Sequence, residues 1–491
     1  ISGQATSIRL EAIRAARELL DPSRPDGRAV DPLVDALAEA GLTLEERVGL
    51  LELLGRAGSP RGAATLLSHA GDKQVSVRRT VMVALGNLSG GSSAIDAKLI
   101  AALDDDIGSV RTDAAIALSR VGTAAAAPTL VDRLLESAEQ DRGAVGLALS
   151  GVLGRSTDAA LAARVGKAIG SAPSSARDAL IEGLGRMKGD AALTELAKLA
   201  TGSLDDKRKL AEAISGHGAQ GRKQALVLAA DPDAGVRANA AWSLGFVGDA
   251  STAKTLASLL KDPDAAVSGN AAASLGRLAA TAKKPDLASS LCAALADGRA
   301  YVRANAISAL DLAVADCGVD PVAKLLADDP SDVVRSAAAR HLHRLAAAAP
   351  TTAPPPAAPA PPAAPAKPPA PGVAPPAPAT QPAAQAAPPS PAMAATRALR
   401  RCVNEEKVHR VAKRCEEAPA PAGDRRTFPL IVFVVPDGGD APKARAPFAL
   451  VLPDGTMRLG VADRRGAVFE GAALSGEVSL AVPAPLAISR P

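Results

Sequence analysis

A repeat of roughly 33 residues runs through residues 1–349 and narrows the possible folds more than any other feature of the chain. Its register is set by a basic residue near the start of an expected helix: Arg9, Arg47, Arg78, Arg111, Arg142, Arg177, Arg208, Arg237, Arg303 and Arg335, with Ser268 in the one remaining place. Seven positions on, Leu stands in nine of the eleven units, among them Leu54, Leu85, Leu244 and Leu310. Eight positions on, Gly stands in six, including Gly55, Gly86, Gly245 and Gly276. Ala114, Ala211, Ala240, Ala271, Ala306 and Ala338, three positions after their anchors, lie one helical turn before the Leu column. The two columns make one apolar helix face.

Between anchored helices runs a second apolar stripe, as in Leu256, Leu259 and Leu260, followed by Asp-Pro at residues 231–232, 262–263 and 329–330. Asp there is expected to cap the next helix, with Pro at its first position. Gly58, Gly122 and Gly248, eleven residues after their anchors, are expected to end helices in the left-handed conformation. Each unit is then a helix pair too small to enclose its own apolar face, so neighbours must stack. The expected fold is an all-α solenoid of about eleven helix pairs over residues 1–349.

The stretches DPDAGVRANAAWSLGFVGD (231–249), DPDAAVSGNAAASLGRLA (262–279) and DPSDVVRSAAARHLHRLA (329–346) resemble the short HEAT-type repeats first associated with phycobilisome lyases. The resemblance covers nearly all of residues 1–349. It implies antiparallel helix pairs whose second helices line a concave surface, most often used to hold another protein. Ser268 and Gly269 depart from the basic anchor and interrupt any Asp/Arg ladder there.

The Ala/Pro-rich stretch 350–395 holds 18 of the chain's 39 Pro between Pro350 and Pro391, with Lys367 its one charge in that span. It reads as a disordered, extended linker. Residues 396–417 return to helical periodicity, with Val408, Val411, Ala412 and Cys415 on one stripe and a solvated basic face. Cys402 and Cys415 can pair only if that helix breaks, for example near Asn404. Residues 427–491 hold four of the five Phe, apolar runs such as 430–435 and 448–452, and turn residues at Pro453-Asp454-Gly455 and 463–466. They read as a small β-sandwich of five or six strands. Residues 448–482 resemble small prealbumin-like or carboxypeptidase-regulatory-like sandwiches, with similar Leu-Pro-Asp-Gly modules accompanying type VI secretion spike proteins. That resemblance implies a module that binds or positions.

Charge and composition narrow the function. The formal net charge is +4 and aromatic residues make up 1% of the chain, which argues against a general nucleic-acid binder. No apolar run approaches the length of a membrane span, so membrane insertion is not expected. None of the five His is followed by Glu, and His341 and His343 point apart on a helix, so neither metal nor cofactor is expected. Beginning at Ile1, the chain reads as processed or truncated, with a lean toward a bacterial envelope or secreted location and the cytoplasm as the alternative.

One constellation stands out. Asn239, Asn270 and Asn305 share the column two residues after the anchor, beside Trp242 and Tyr301, the chain's one Trp and one Tyr. An Asn ladder can pair with the backbone of an extended peptide, and a Trp beside it can fence the side chains. These five are the expected partner-binding residues. The competing reading has the Asn side chains bridging adjacent helix starts and Trp242 packed as core. The expectation is a non-enzymatic scaffold that holds a protein or extended peptide, with its β-module tethered to dock elsewhere. The alternatives are a HEAT-type lyase or metal-dependent hydroxylase, and an accessory component of a bacterial secretion or envelope machine.

Overall fold

The structure is a computed structural model and describes residues 6–347, 390–417, 427–435 and 441–481. The anchored segments form the inner helices of units 1 to 11: Thr6–Leu19, Leu44–Arg56, Val75–Gly86, Gly108–Val121, Glu139–Leu153, Ser174–Arg186, Leu204–Ala213, Ala234–Val247, Ala265–Ala282, Ala300–Ala313 and Asp332–Ala347. An outer helix precedes each of units 2 to 11, from Val30–Leu37 to Val319–Asp328. Leu54, Leu85, Leu118, Leu149 and the rest of the Leu column are fully buried between the layers. The Gly column has a different task. A Cβ on Gly276 would lie 2.6 Å from Ala309 Cα, and one on Gly86 2.9 Å from Ala117 Cα. Glycine therefore lets successive inner helices touch backbone to backbone, which shortens the inner side and makes it concave.

The Arg anchors form a ladder. Arg78 reaches Asp105 (2.7 Å), Arg177 Asp206 (2.8 Å), Arg208 Asp233 (2.7 Å), Arg237 Asp262 (2.9 Å) and Arg303 Asp329 (2.7 Å), each crossing to the next unit. Two expectations are corrected here. In Asp-Pro-Asp the capping residue is the second Asp: Asp233 accepts from Val236 N and Asp264 from Val267 N. The first Asp is taken by the cation of the preceding unit, Asp262 by Arg237 and Asp231 by Lys207. Of the three expected left-handed glycines, Gly58 has φ +62° but Gly122 and Gly248 have φ −56° and −74°. At Gly248 the constraint is space, since a Cβ would lie 2.3 Å from Leu244 O.

Residues 390–417 complete a twelfth unit. Helix Pro391–Glu405 takes the outer place and His409–Glu416 the inner one, with the break after Glu405. Glu406 replaces the ladder Asp: it receives Arg335 at 2.7 Å and accepts from Val408 N, as Asp329 receives Arg303 and accepts from Ser331 N. Ala395, Leu399, Val411 and Cys415 extend the solenoid core. The first of these helices starts at Pro391, five residues before the expected boundary. Disulfide Cys402–Cys415 ties the pair, and Cys292–Cys317 ties the outer helix of unit 10 to the loop after its inner helix.

The expectation of a tether between solenoid and sandwich is thereby corrected. Most of the Ala/Pro stretch, 348–389, lies outside the described residues, but its flanks belong to adjacent units 11 and 12, because the helices after it carry the ladder and core residues of a repeat. The Ala/Pro stretch is an insertion between repeats.

The C-terminal module has five described strands. β1 (Thr427–Phe433) pairs antiparallel with β4 (Ala467–Leu474). β2 (Pro447–Val451) is flanked by β3 (Met457–Val461) and β5 (Ser479–Ala481), both antiparallel to it. Far from docking elsewhere, the module sits on the inner helices of its own solenoid. Phe448, Leu450 and Val468 share one buried cluster with Trp242 and Ala273.

Candidate functional site

Strand β3 is an edge strand, paired with β2 on one side only. An unpaired edge needs partners for its outward N–H and C=O groups. The Asn column supplies them. Asn305 accepts from Met457 N at 2.8 Å and donates to Met457 O at 2.7 Å. One unit back, Asn270 accepts from Leu459 N and donates to Leu459 O, both at 3.2 Å. Each carboxamide thus presents the donor and acceptor that a facing antiparallel residue would present. Tyr301 joins them: its hydroxyl donates to Met457 O and accepts from Leu459 N at 2.9 Å. Burial of that hydroxyl against the module holds it well above the ordinary tyrosine range.

The same carboxamides also bridge repeats. Asn239 donates to Arg208 O, Asn270 to Ala238 O and Asn305 to Gly269 O, at 2.9 to 3.0 Å. These bridges are the contacts of the competing reading, and the backbone that Asn270 and Asn305 pair with is the chain's own in place of a partner's. At the break in the Arg ladder Arg299 stands in for the anchor missing at Ser268, bonding Asp297 at 2.8 Å and the carbonyls of Asp262 and Pro263. Beside it a Cβ on Gly269 would lie 2.0 Å from Tyr301 Cε1, so glycine there makes the slot for the tyrosine ring.

Asn239 stands apart from the other two. Its Oδ1 accepts from the Arg458 guanidinium at 3.3 Å and takes no backbone group of β3. Trp242 is 1% exposed. The Arg277 guanidinium lies 3.9 Å from its ring centroid, and its indole N–H donates to Glu470 at 2.7 Å. The structure thus brings all five expected residues onto one surface, and the extended segment they meet belongs to the chain itself.

A buried ionic network beside the ladder was not anticipated. Lys209 lies 3.0 Å from Asp463, 2.7 Å from Glu212 and 3.6 Å from Glu182. Arg465 bonds Glu182 and Asp463, Arg458 bonds Glu212 at 2.9 Å, and Arg464 bonds Asp178. Burial by itself would depress the Lys209 ammonium, but Asp463, Glu212 and Glu182 outweigh it and raise the group above the usual lysine range. Burial would likewise raise Asp463, yet Arg465 and Lys209 pull it well below the usual carboxylate range. Asp178, for which burial dominates, is pushed up. The sequence carried one clear signal of this network. Glu212 is the single charged residue in a column, four after the anchor, otherwise filled by Ile13, Leu51, Met82, Ala115 and their equivalents.

This is the architecture of an α-solenoid of stacked helix pairs with its inner face partly filled. The family model described as HEAT repeats matches residues 223–311, which include the ladder. A search of the curated proteins returns no match. Among solved structures, an engineered protein is similar at 18% identity over 79% of this chain and 97% of its own, with TM-score 0.29. Kap121p bound to Nup53p is similar at 11% identity over 70% of this chain and 44% of its own, and the Kap95:Nup1 complex at 12% over 65% and 52%, both with TM-score 0.36. The chain thus spans about half the length of each of these two karyopherin structures.

Proposed function

We propose that the chain is a non-enzymatic scaffold that holds a protein partner on the concave face of its solenoid, with the β-module as a fixed wall of the binding body. The observation that carries this reading is the Asn270–Leu459 and Asn305–Met457 pairing, in which the groove binds extended protein backbone. Two of the solved structures similar to it, Kap121p with Nup53p and the Kap95:Nup1 complex, are complexes between proteins. At the module contact Lys209, Glu212, Glu182, Asp463 and Arg465 are committed to ion pairs within the fold, an arrangement suited to holding a shape. The ion pairs from Asp463 and Arg465 to Lys209 and Glu182 fix where the module sits in the groove.

Within this reading a place in an oxidising compartment fits the cysteines, since all four are paired and such bonds persist in secreted or envelope proteins. An accessory role in a bacterial envelope or secretion assembly is consistent with that location.

Site-specific photo-cross-linking in cells tests the scaffold. A photoreactive residue replacing Thr112 or Ser336, on inner helices, should capture a discrete partner, and one replacing Lys223 or Val227, on an outer helix, should not. Capture from the outer positions alone would refute the concave-face reading.

A further inference from the structure

The described residues of the docked module cover the groove from unit 5 onward. Its leading side chain toward the N-terminus, Arg465, reaches Gly146 of unit 5, where a Cβ would lie 3.5 Å from the guanidinium. Beyond that point the same columns continue without an occupant from the described residues. In the Trp242 column, five after the anchor, stand Val83 of unit 3 and Ile116 of unit 4, 46% and 42% exposed, followed by half-buried Leu147 of unit 5. The other large exposed apolar residues of the inner helices, such as Ile8, Leu44, Val75 and Leu204, lie at helix ends. Val83 and Ile116 are at mid-helix on the concave side, where Trp242 meets the module.

Two of the charges beside this strip are paired with each other. In the Asn270 column unit 4 has Asp113, and Arg79 of unit 3 bonds it at 2.8 Å. This pair crosses between units where a carboxamide would otherwise face a strand, so the surface offers aliphatic contact in place of backbone pairing. We propose that the inner helices of units 3 to 5 are a docking surface for an extended strand of another protein that presents aliphatic side chains at alternate residues. The inference rests on the scaffold reading and names its partner chemistry.

Continuity with the module interface sets the spacing. Units 9 and 10 meet Leu459 and Met457, so the module's edge strand advances two residues over that one unit, a step that Asn239 of unit 8 does not carry on. A strand continuing along the same line places every second side chain, all on one face, against Val83, Ile116 and Leu147 in turn. An amphipathic helix, with apolar residues at three and four, does not match that step.

The probe is a fluorescein-labelled ten-residue peptide of alternating Val and Thr with Lys at both ends, titrated by anisotropy against the full chain. Controls are a peptide of equal composition with the Val residues in one block, and an amphipathic helical peptide. The alternating peptide should bind about ten-fold more tightly than the block peptide, and Val83→Asp with Ile116→Asp should weaken it about ten-fold while far-UV circular dichroism is unchanged. Val227→Asp, on the outer helix of unit 8, should leave that affinity within about two-fold. Equal binding of the two orders, preference for the helical peptide, or indifference to the Asp substitutions overturns the proposal. So does a dimer in sedimentation velocity that the same substitutions abolish, which would assign the strip to a second copy. If inner-face cross-linking captures a partner while the alternating peptide shows no preference, the scaffold stands and this inference alone fails.

Discussion

The carboxamide of Asn270 pairs with both backbone groups of Leu459, a residue 189 positions later in the chain. A single side chain on a repeat helix thus does the work of a neighbouring β-strand, and the edge of a small sheet is sealed by a helical surface. The pairing turns solenoid and module into one body, and it exposes that body to direct tests.

Asn270→Ala should remove two bonds to Leu459, one to Ala238 and one from Tyr301, whose hydroxyl stays as the remaining partner of Leu459 N. A loss of about 1–3 kcal/mol is expected at the module contact. Amide exchange at Leu459 should rise by about ten-fold or more, with the inner helices of units 2 to 4 unaffected. Unchanged exchange at Leu459 would show that the carboxamide does not hold the strand.

Lys209→Met should leave Asp463, Glu212 and Glu182 facing one another in a buried site, at a cost of about 3–5 kcal/mol. Trp242, the chain's one Trp, lies in the same contact and reports it. Its emission should shift to the red at lower urea than in the wild type, ahead of the loss of helical circular dichroism. Adding Asp463→Asn should restore part of the difference, and the absence of any recovery would count against a charge origin.

Two pH windows are expected, and they separate. His217 is held by burial, with Lys188 adding repulsion, at about 4, while Leu184 O partly offsets both; its Nδ1 has no partner. Its unfolded value is about 6.5, so the stability it allows is complete above that pH and falls by on the order of 3 kcal/mol as pH drops to 4. Asp463, depressed in the folded chain, contributes above about 4 and loses that contribution only as pH falls through its lower folded value. Urea midpoints at pH 7.5 and 4.5 should therefore differ in the wild type and converge in His217→Gln. The Trp242 signal of module docking should persist at pH 4.5. An unaltered pH difference in His217→Gln would remove His217 as the cause.

Cys402→Ser with Cys415→Ser opens a loop closed over a separation of 13 residues, and about 3 kcal/mol of local stability should go with it. Exchange should quicken in Pro391–Glu416 and spare units 2 to 9. Reduction of the wild type should reproduce the effect. Exchange that remains slow would mean that Arg335–Glu406 and the Leu399 and Val411 packing suffice to hold unit 12.

Much of the solenoid was legible because its determinants recur locally. A Leu seven after each Arg and a Gly eight after it repeat often enough to define a register without any knowledge of contacts. The Asn column, Trp242 and Tyr301 were visible for the same reason, as departures shared by consecutive units or as residues used once. Unit 12 escaped notice because its anchor column is interrupted by the long Ala/Pro insertion and its ladder acid is Glu406 instead of Asp. Spacing does not separate the capping Asp233 and Asp264 from the Asp two residues earlier, since both fit, and the bonds from Val236 N and Val267 N are what distinguish them.

Sequence alone determined the helix pairs, their stacking and the presence of a small β-module, since each follows from short-range periodicity that any copy of the repeat must obey. Tertiary structure alone decided where the module goes. Its docking depends on Arg458, Asp463, Arg464 and Arg465 meeting Glu212, Lys209, Asp178 and Glu182, residues that occur once each and lie some 246 to 286 positions apart where direct pairs are recorded. Nothing periodic marks such pairs. Burial makes their charges decisive, and burial exists only after the solenoid has curved and the edge of β3 has come to rest on Asn270 and Asn305.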